Sequence, residues 1–120
     1  MKKAKIQKAL KGLFCLDHNV KIYVPSTIDV NKKIDNSSYV KQALELFSDL
    51  FGGATSYDAK GAWLSKKGLV VEDVKIVESY ATKEALEKGL NKVLRYAEKL
   101  KRELKQEAVS VEYDNKLYFI

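Results

Sequence analysis

The chain has 120 residues and a net charge of +6, with 46% hydrophobic and 32% charged residues, which fits one folded domain over residues 1–120 and excludes a disordered chain. One cysteine, Cys15, excludes an internal disulfide; one histidine, His18, excludes a His-rich metal site; and no apolar run approaches the ~20 residues of a membrane-spanning helix. Lys8 and Lys11 interrupt the apolar stretch that a signal peptide would need, so a cytoplasmic protein without a membrane partner is expected.

Residues 3–14 place Ile6, Ala9, Leu10, Leu13 and Phe14 at helical spacing, with Lys5, Lys8 and Lys11 facing elsewhere. This predicts a basic amphipathic helix within residues 1–15, weakened near its end by Gly12. Asp17-His18-Asn19 reads as a turn. Val20, Ile22 and Val24 alternate with Lys21 and Tyr23, the pattern of a strand with one buried face, and Pro25 ends it. After a polar loop, Asp35 or Asn36 can cap a helix with its side-chain oxygen. That helix runs to about Phe51 with Val40, Ala43, Leu44, Phe47 and Leu50 on one face, and Gly52-Gly53 stop it.

Residues 54–64 read as a strand with Tyr57 and Trp63 on one face and Gly61 as a candidate bulge. Lys66-Lys67-Gly68 makes a hairpin turn into a return strand over 70–80, with Val74 and Ile76 expected to face the core. Thr82 caps a long helix to about Lys105, whose seam is Leu86, Leu90, Val93, Ala97, Leu100 and Leu104. Val109, Val111 and Tyr113 alternate in a further strand, and Asp114-Asn115 turns into a short last strand over Leu117–Ile120. The fold class is therefore α+β: a ferredoxin-like split β-α-β-β-α-β antiparallel sheet over residues 20–120, with an added N-terminal helix and a C-terminal β-hairpin. Right-handed crossovers put both main helices on one sheet face. The other face is left solvated, covered by the N-terminal helix, or used for a partner.

The charge is unevenly spread. Residues 1–11 carry +5 and residues 81–105 carry +4, while the remainder is slightly acidic. In the long helix, Lys88, Lys92, Arg95, Lys99 and Arg102 each follow a seam residue by two positions, which puts them roughly 200° around the helix from it. Glu84 and Glu98 stand four residues before Lys88 and Arg102, where they can pair with them. Lys2, Lys3, Lys5 and Lys8, with Lys88, Lys92, Arg95, Lys99 and Arg102, are the candidate residues for contacting nucleic acid or an acidic partner. The stretch 74–77 lacks the stacking aromatics of an RNA-recognition motif.

Catalytic constellations are sparse. Cys15 and His18 have no second cysteine or histidine to complete a metal or nucleophile site, so a buried thiol and a turn histidine are expected. Asp58 and Asp73, on neighbouring strands, could hold a hard cation in a metal-dependent nuclease. Gly52-Gly53 lacks the lysine of a phosphate-binding loop. No cofactor and no catalytic residue are expected, and the oligomeric state is open.

The segments Tyr23-Val24-Pro25-Ser26-Thr27, Val30-Asn31, Ile34-Asp35-Asn36-Ser37-Ser38-Tyr39-Val40 and Leu50-Phe51-Gly52-Gly53-Ala54-Thr55 resemble a family of small proteins carried on plasmids and other mobile elements of Gram-positive bacteria. The resemblance covers about residues 20–80. Some relatives are anti-CRISPR proteins, so it implies a non-enzymatic inhibitor of a type II RNA-guided nuclease, with that nuclease or its guide RNA as partner. The +6 charge weighs against acidic DNA mimicry and favours interference with guide-RNA loading. A general nucleic-acid-binding module of a mobile element is the alternative. The Pro25-Ser26-Thr27 and Gly53-Ala54-Thr55 segments fall near opposite ends of the first main helix, where they either fix its crossover or form a ligand loop.

Overall fold

The structure, a computed structural model, describes residues 3–29 and 31–120. In chain order its elements are α1 (Lys3–Leu10), β1 (His18–Pro25), β2 (Thr27–Ile28), β3 (Lys32–Lys33), α2 (Ser37–Phe51), β4 (Thr55–Ser65), β5 (Gly68–Ala81), α3 (Lys83–Glu103), β6 (Ser110–Tyr113) and β7 (Lys116–Phe119). Five strands form one antiparallel sheet in the order β4-β5-β1-β6-β7. Leaving out β7 and α1, this is the ferredoxin-like arrangement, and the C-terminal hairpin extends the sheet through β7. A second, two-stranded ribbon of β2 and β3 occupies the loop after Pro25, where no strand was expected.

Alternation builds the core. Val20, Ile22 and Val24 of β1 are fully buried, with Val77 of β5 and Val111 of β6 on the same sheet face. Against that face α2 contributes Val40, Ala43 and Phe47, α3 contributes Leu86, Val93, Ala97 and Leu100, and Leu104 follows at its C-terminal cap. The expected α3 seam holds except at Leu90, which is only partly buried, while Gly89 and Tyr96 are buried beside it. Gly89 permits the close approach of α2: a Cβ there would stand 2.9 Å from Phe51 Cε1. Phe51 in turn packs edge-on to Phe47, with ring centroids 5.6 Å apart.

Both helix boundaries follow from capping groups. Thr82 Oγ1 accepts from the Ala85 amide at 3.1 Å, and Gly52 closes α2 at φ +93°, a left-handed conformation that glycine adopts without a Cβ penalty. Asn36 corrects the capping expectation. It precedes α2, but its side chain makes no cap bond. Its Nδ2 donates instead to the carbonyls of Val24 (3.3 Å) and Pro25 (3.0 Å), tying the start of α2 to the end of β1. Asp35 accepts from the Ser37 amide at 3.0 Å. The Pro25–Thr27 and Gly53–Thr55 segments do sit at opposite ends of α2, and Ser79 Oγ donates to the Gly53 carbonyl at 2.6 Å.

Three further expectations are corrected. His18 and Asn19 begin β1 rather than forming a turn, because both pair with β5, opposite Ala81 and Tyr80. Gly61 is no bulge: it stands opposite Glu72 in an unbroken register from Thr55 to Ser65. Val74 and Ile76 face away from the helices. Ile22 pairs with Val77, which sends Val77, Ser79 and Ala81 to the core and the residues between them to the other face.

Candidate active site

The sheet face opposite the helices carries a polar cluster at its centre. Asn19, Lys21 and Tyr23 project from β1, Glu78 and Ile76 from β5, Glu112 from β6 and Tyr57 from β4. Lys21 Nζ lies 3.7 Å from Glu78 Oε2 and 3.6 Å from Glu112 Oε2. All three side chains are largely shielded, at 22%, 16% and 21% exposure. Asn19 Nδ2 donates to Glu78 Oε2 at 3.2 Å, and the Tyr23 hydroxyl donates to Glu112 Oε1 at 3.3 Å.

These surroundings set the charge states. Burial works against the Lys21 charge, but Glu112 and Glu78 outweigh it and hold its pKa above the ordinary lysine value. Burial, reinforced by Glu112, raises the Tyr23 phenol above its ordinary value, so it stays protonated and donating at neutral pH. By side-chain type the cluster is two carboxylates around one ammonium, a formal net charge of −1, with Asn19 and Tyr23 as donors. Beside it, where β6 and β1 stop and β5 runs on, lies a pocket of about 210 Å³ lined by Tyr23, Gly61, Glu72, Val74, Gln106 and Ser110. Tyr57 and Tyr80 stay exposed on the same face and offer ring surface.

The alternation that puts Lys21 and Tyr23 on β1 does not by itself mark Lys21, Glu78 and Glu112 as a site. The signal was there in each strand, as polar residues at the positions alternating with buried valines and isoleucines. What brings them together is the cross-strand register, Lys21 opposite both Glu78 and Glu112.

The residues singled out from sequence are placed elsewhere. Lys88, Lys92, Arg95 and Arg102 are exposed on the outer side of α3, away from the sheet. Neither Glu84 nor Glu98 pairs with them among the described residues. Lys99 leaves the stripe: its Nζ reaches Gln42 Oε1 at 3.4 Å and stands 5.9 Å from the centre of the Tyr96 ring. Lys3, Lys5 and Lys8 are exposed on α1, which no other element packs against closely. The two basic sources are thus not gathered into one contact surface. Lys2, and Val30 of the loop motif, lie outside the described residues.

The alternative of a cation site at Asp58 and Asp73 finds no support in the pairing of these residues. Asp58 pairs with Lys75, and Asp73 accepts from Lys60 Nζ at 2.7 Å. These pairs line a cavity of about 570 Å³ with Ser26 and Asn36, and they neutralise each other. No group of three metal-ligating side chains occurs among the described residues. Cys15 is exposed rather than buried. His18 is held, its Nδ1–H donating to Asp114 Oδ2 at 2.8 Å.

The architecture is that of a ferredoxin-like α+β protein with a charged, open sheet face. No protein-family model and no curated protein matches the chain. Among solved structures it is similar to a phage SAM lyase in complex with S-methyl-5'-thioadenosine, with a TM-score of 0.63 and 18% identity over 92% of this chain and 94% of that one. It is also similar to a phage SAM lyase in the apo state, with a TM-score of 0.57 and 17% identity over 86% and 87% of the two chains. The expectation of a non-enzymatic anti-CRISPR inhibitor is corrected here. Both of these solved structures, which align with most of this chain, are of a lyase, an enzyme. Among the described residues, no helix is long and apolar enough to cross a membrane.

Proposed function

We propose that this protein is an enzyme that binds S-adenosylmethionine on the open sheet face and cleaves it to S-methyl-5'-thioadenosine. What carries this proposal is the Lys21–Glu78–Glu112 cluster, placed on a face that the helices leave free, in a fold shared with a SAM lyase. The ligand is a sulfonium cation bearing an adenosine and an amino-acid chain. A net −1 cluster suits the sulfonium, and Tyr57 or Tyr80 offers a ring for the adenine.

Release of S-methyl-5'-thioadenosine fixes which bond breaks: the one between sulfur and the amino-acid chain. The bonding pair stays on sulfur, which leaves as a neutral thioether. The carbon left behind is made good within the substrate, either by its own carboxylate closing on it or by loss of an adjacent proton. Positive charge on sulfur is greatest in the bound substrate and falls in the transition state, so a strongly negative site would favour the substrate and slow the reaction. Lys21 offsets one of the two carboxylates and limits that effect. Glu78 and Glu112, held by Asn19 and Tyr23, are positioned to fix the sulfonium and the substrate's ammonium.

The test is to incubate the purified chain with S-adenosylmethionine and separate the products by chromatography. Appearance of S-methyl-5'-thioadenosine is expected, with kcat/KM reduced about 10- to 100-fold in Glu78→Gln and Glu112→Gln, chiefly through a raised KM, as each loses a charge-assisted contact to the cationic substrate. Unchanged substrate, with no binding by calorimetry, overturns the proposal. The co-product distinguishes ring closure, which gives a lactone, from elimination, which gives an alkene.

A further inference from the structure

The segment before β1 belongs neither to the core nor to the sheet-face cluster. Its apolar residues are left in water: Ile6 is 43% exposed, Leu10 57%, Leu13 64% and Phe14 87%. At 3.6 residues per turn Ile6 and Leu10 share one side of α1, while Lys5 and Lys8 lie on other sides of it. Residues 3–14 hold four lysines and no acid. An eight-residue helix is marginal in water unless its apolar side is covered, and nothing within the described chain packs closely on it.

We propose that α1 and the Leu13-Phe14 step bind the surface of an anionic lipid bilayer, with the helix lying in the plane of the interface. The pairing of chemistries selects this partner. A nucleic-acid backbone would satisfy the lysines but leave Leu10, Leu13 and Phe14 in water, and a neutral apolar groove would leave four lysines uncompensated. An anionic interface takes up both, the apolar side chains at the acyl boundary and the ammonium groups among the phosphates. The expectation of no membrane partner rested on the lack of a spanning segment, which a helix lying on a bilayer does not need. One short helix gives weak, reversible, salt-sensitive attachment.

The full chain is to be sedimented with vesicles of phosphatidylcholine alone and of phosphatidylcholine mixed with phosphatidylserine. Binding is expected only to the mixed vesicles. It should fall about fivefold for each lysine removed in Lys5→Gln and Lys8→Gln, and be lost in the triple variant Leu10→Ser, Leu13→Ser, Phe14→Ser. Because these side chains are exposed, the circular dichroism of the body should not change. No binding to mixed vesicles at low salt overturns the proposal. So does binding that survives the serine triple variant and is matched by binding to duplex DNA, which would mark a general polyanion site. A fall in oligomer size caused by the triple variant overturns it as well, since the apolar side would then cover a second copy of the chain.

Discussion

Lys21 and Glu78 stand directly opposite each other on β1 and β5, with Nζ 3.7 Å from Oε2 and both side chains mostly shielded from solvent. The ammonium occupies ground where a cationic ligand group would compete with it. On the proposed cleavage of S-adenosylmethionine, Lys21→Met leaves two uncompensated carboxylates, which would bind the sulfonium more tightly than the transition state. KM and kcat are both expected to fall, each by about tenfold, as a charge-assisted contact contributes about 1.5–3 kcal/mol. Steady-state kinetics read this directly. A rise in KM would show that Lys21 holds the substrate's carboxylate instead.

The candidate site and the α3 stripe occupy opposite sides of the molecule. The double variant Lys92→Glu, Arg95→Glu changes only exposed side chains, and it should leave product formation within about twofold of the parent, since surface charges beyond about 10 Å are screened at ordinary salt. A collapse of turnover would relocate the site to the helical face.

Gly89 of α3 faces Phe51 and Leu50 of α2 at close range. In Gly89→Ala the added methyl would meet Phe51 Cε1 at 2.9 Å and Leu50 Cδ1 at 3.3 Å, and the Phe51 ring is already set edge-on against Phe47. Overpacking costs about 1–3 kcal/mol, and alanine's helix propensity returns about 1 kcal/mol. A net loss of about 1 kcal/mol is expected in urea unfolding, against the gain that propensity alone would give.

The Asp114 carboxyl is held below the ordinary aspartate range, chiefly by the His18 hydrogen bond. A carboxyl whose folded pKa is lowered adds stability that is complete above the ordinary value and is lost as pH falls through the folded one. Asp114→Asn should therefore lower the urea midpoint at about pH 7, with the difference from the parent shrinking towards about pH 3. An undiminished difference at the acid end would assign the effect to packing of the β6–β7 turn.

The face assignment of β5 has its own test. Val77 is fully buried, so Val77→Asp buries an unpaired carboxylate, costs upward of 4 kcal/mol and prevents folding. Val74 is on the other face and only half-buried, and Val74→Thr should retain the native circular dichroism with a loss of about 1 kcal/mol or less.

Much of this protein is written locally. The alternation of Val20, Ile22 and Val24 defines β1, the 4-3-4 spacing from Leu86 to Leu104 defines the buried side of α3, and Thr82 and Gly52 mark helix ends, because each signal depends on neighbours within a turn or two of chain. The strand order followed as well, since short connections and right-handed crossovers leave few alternatives. The face of β5 did not follow. Valine and isoleucine occupy both sets of alternating positions from Val74 to Val77, and only pairing with Ile22 decides which set is core. Asn36 likewise carries a capping side chain that the adjacent β1 carbonyls claim instead. The candidate site lies wholly in this second category. Lys21, Glu78 and Glu112 are far apart in sequence and unremarkable singly, and their −1 cluster exists only because antiparallel register sets them abreast on a face the helices do not cover. The charge total of +6 was fixed by composition alone. The fold separated it into an exposed α3 stripe, an unpacked α1 and a shielded cluster of the opposite sign, because side-chain direction and strand pairing, which composition does not contain, determine where each charge meets solvent.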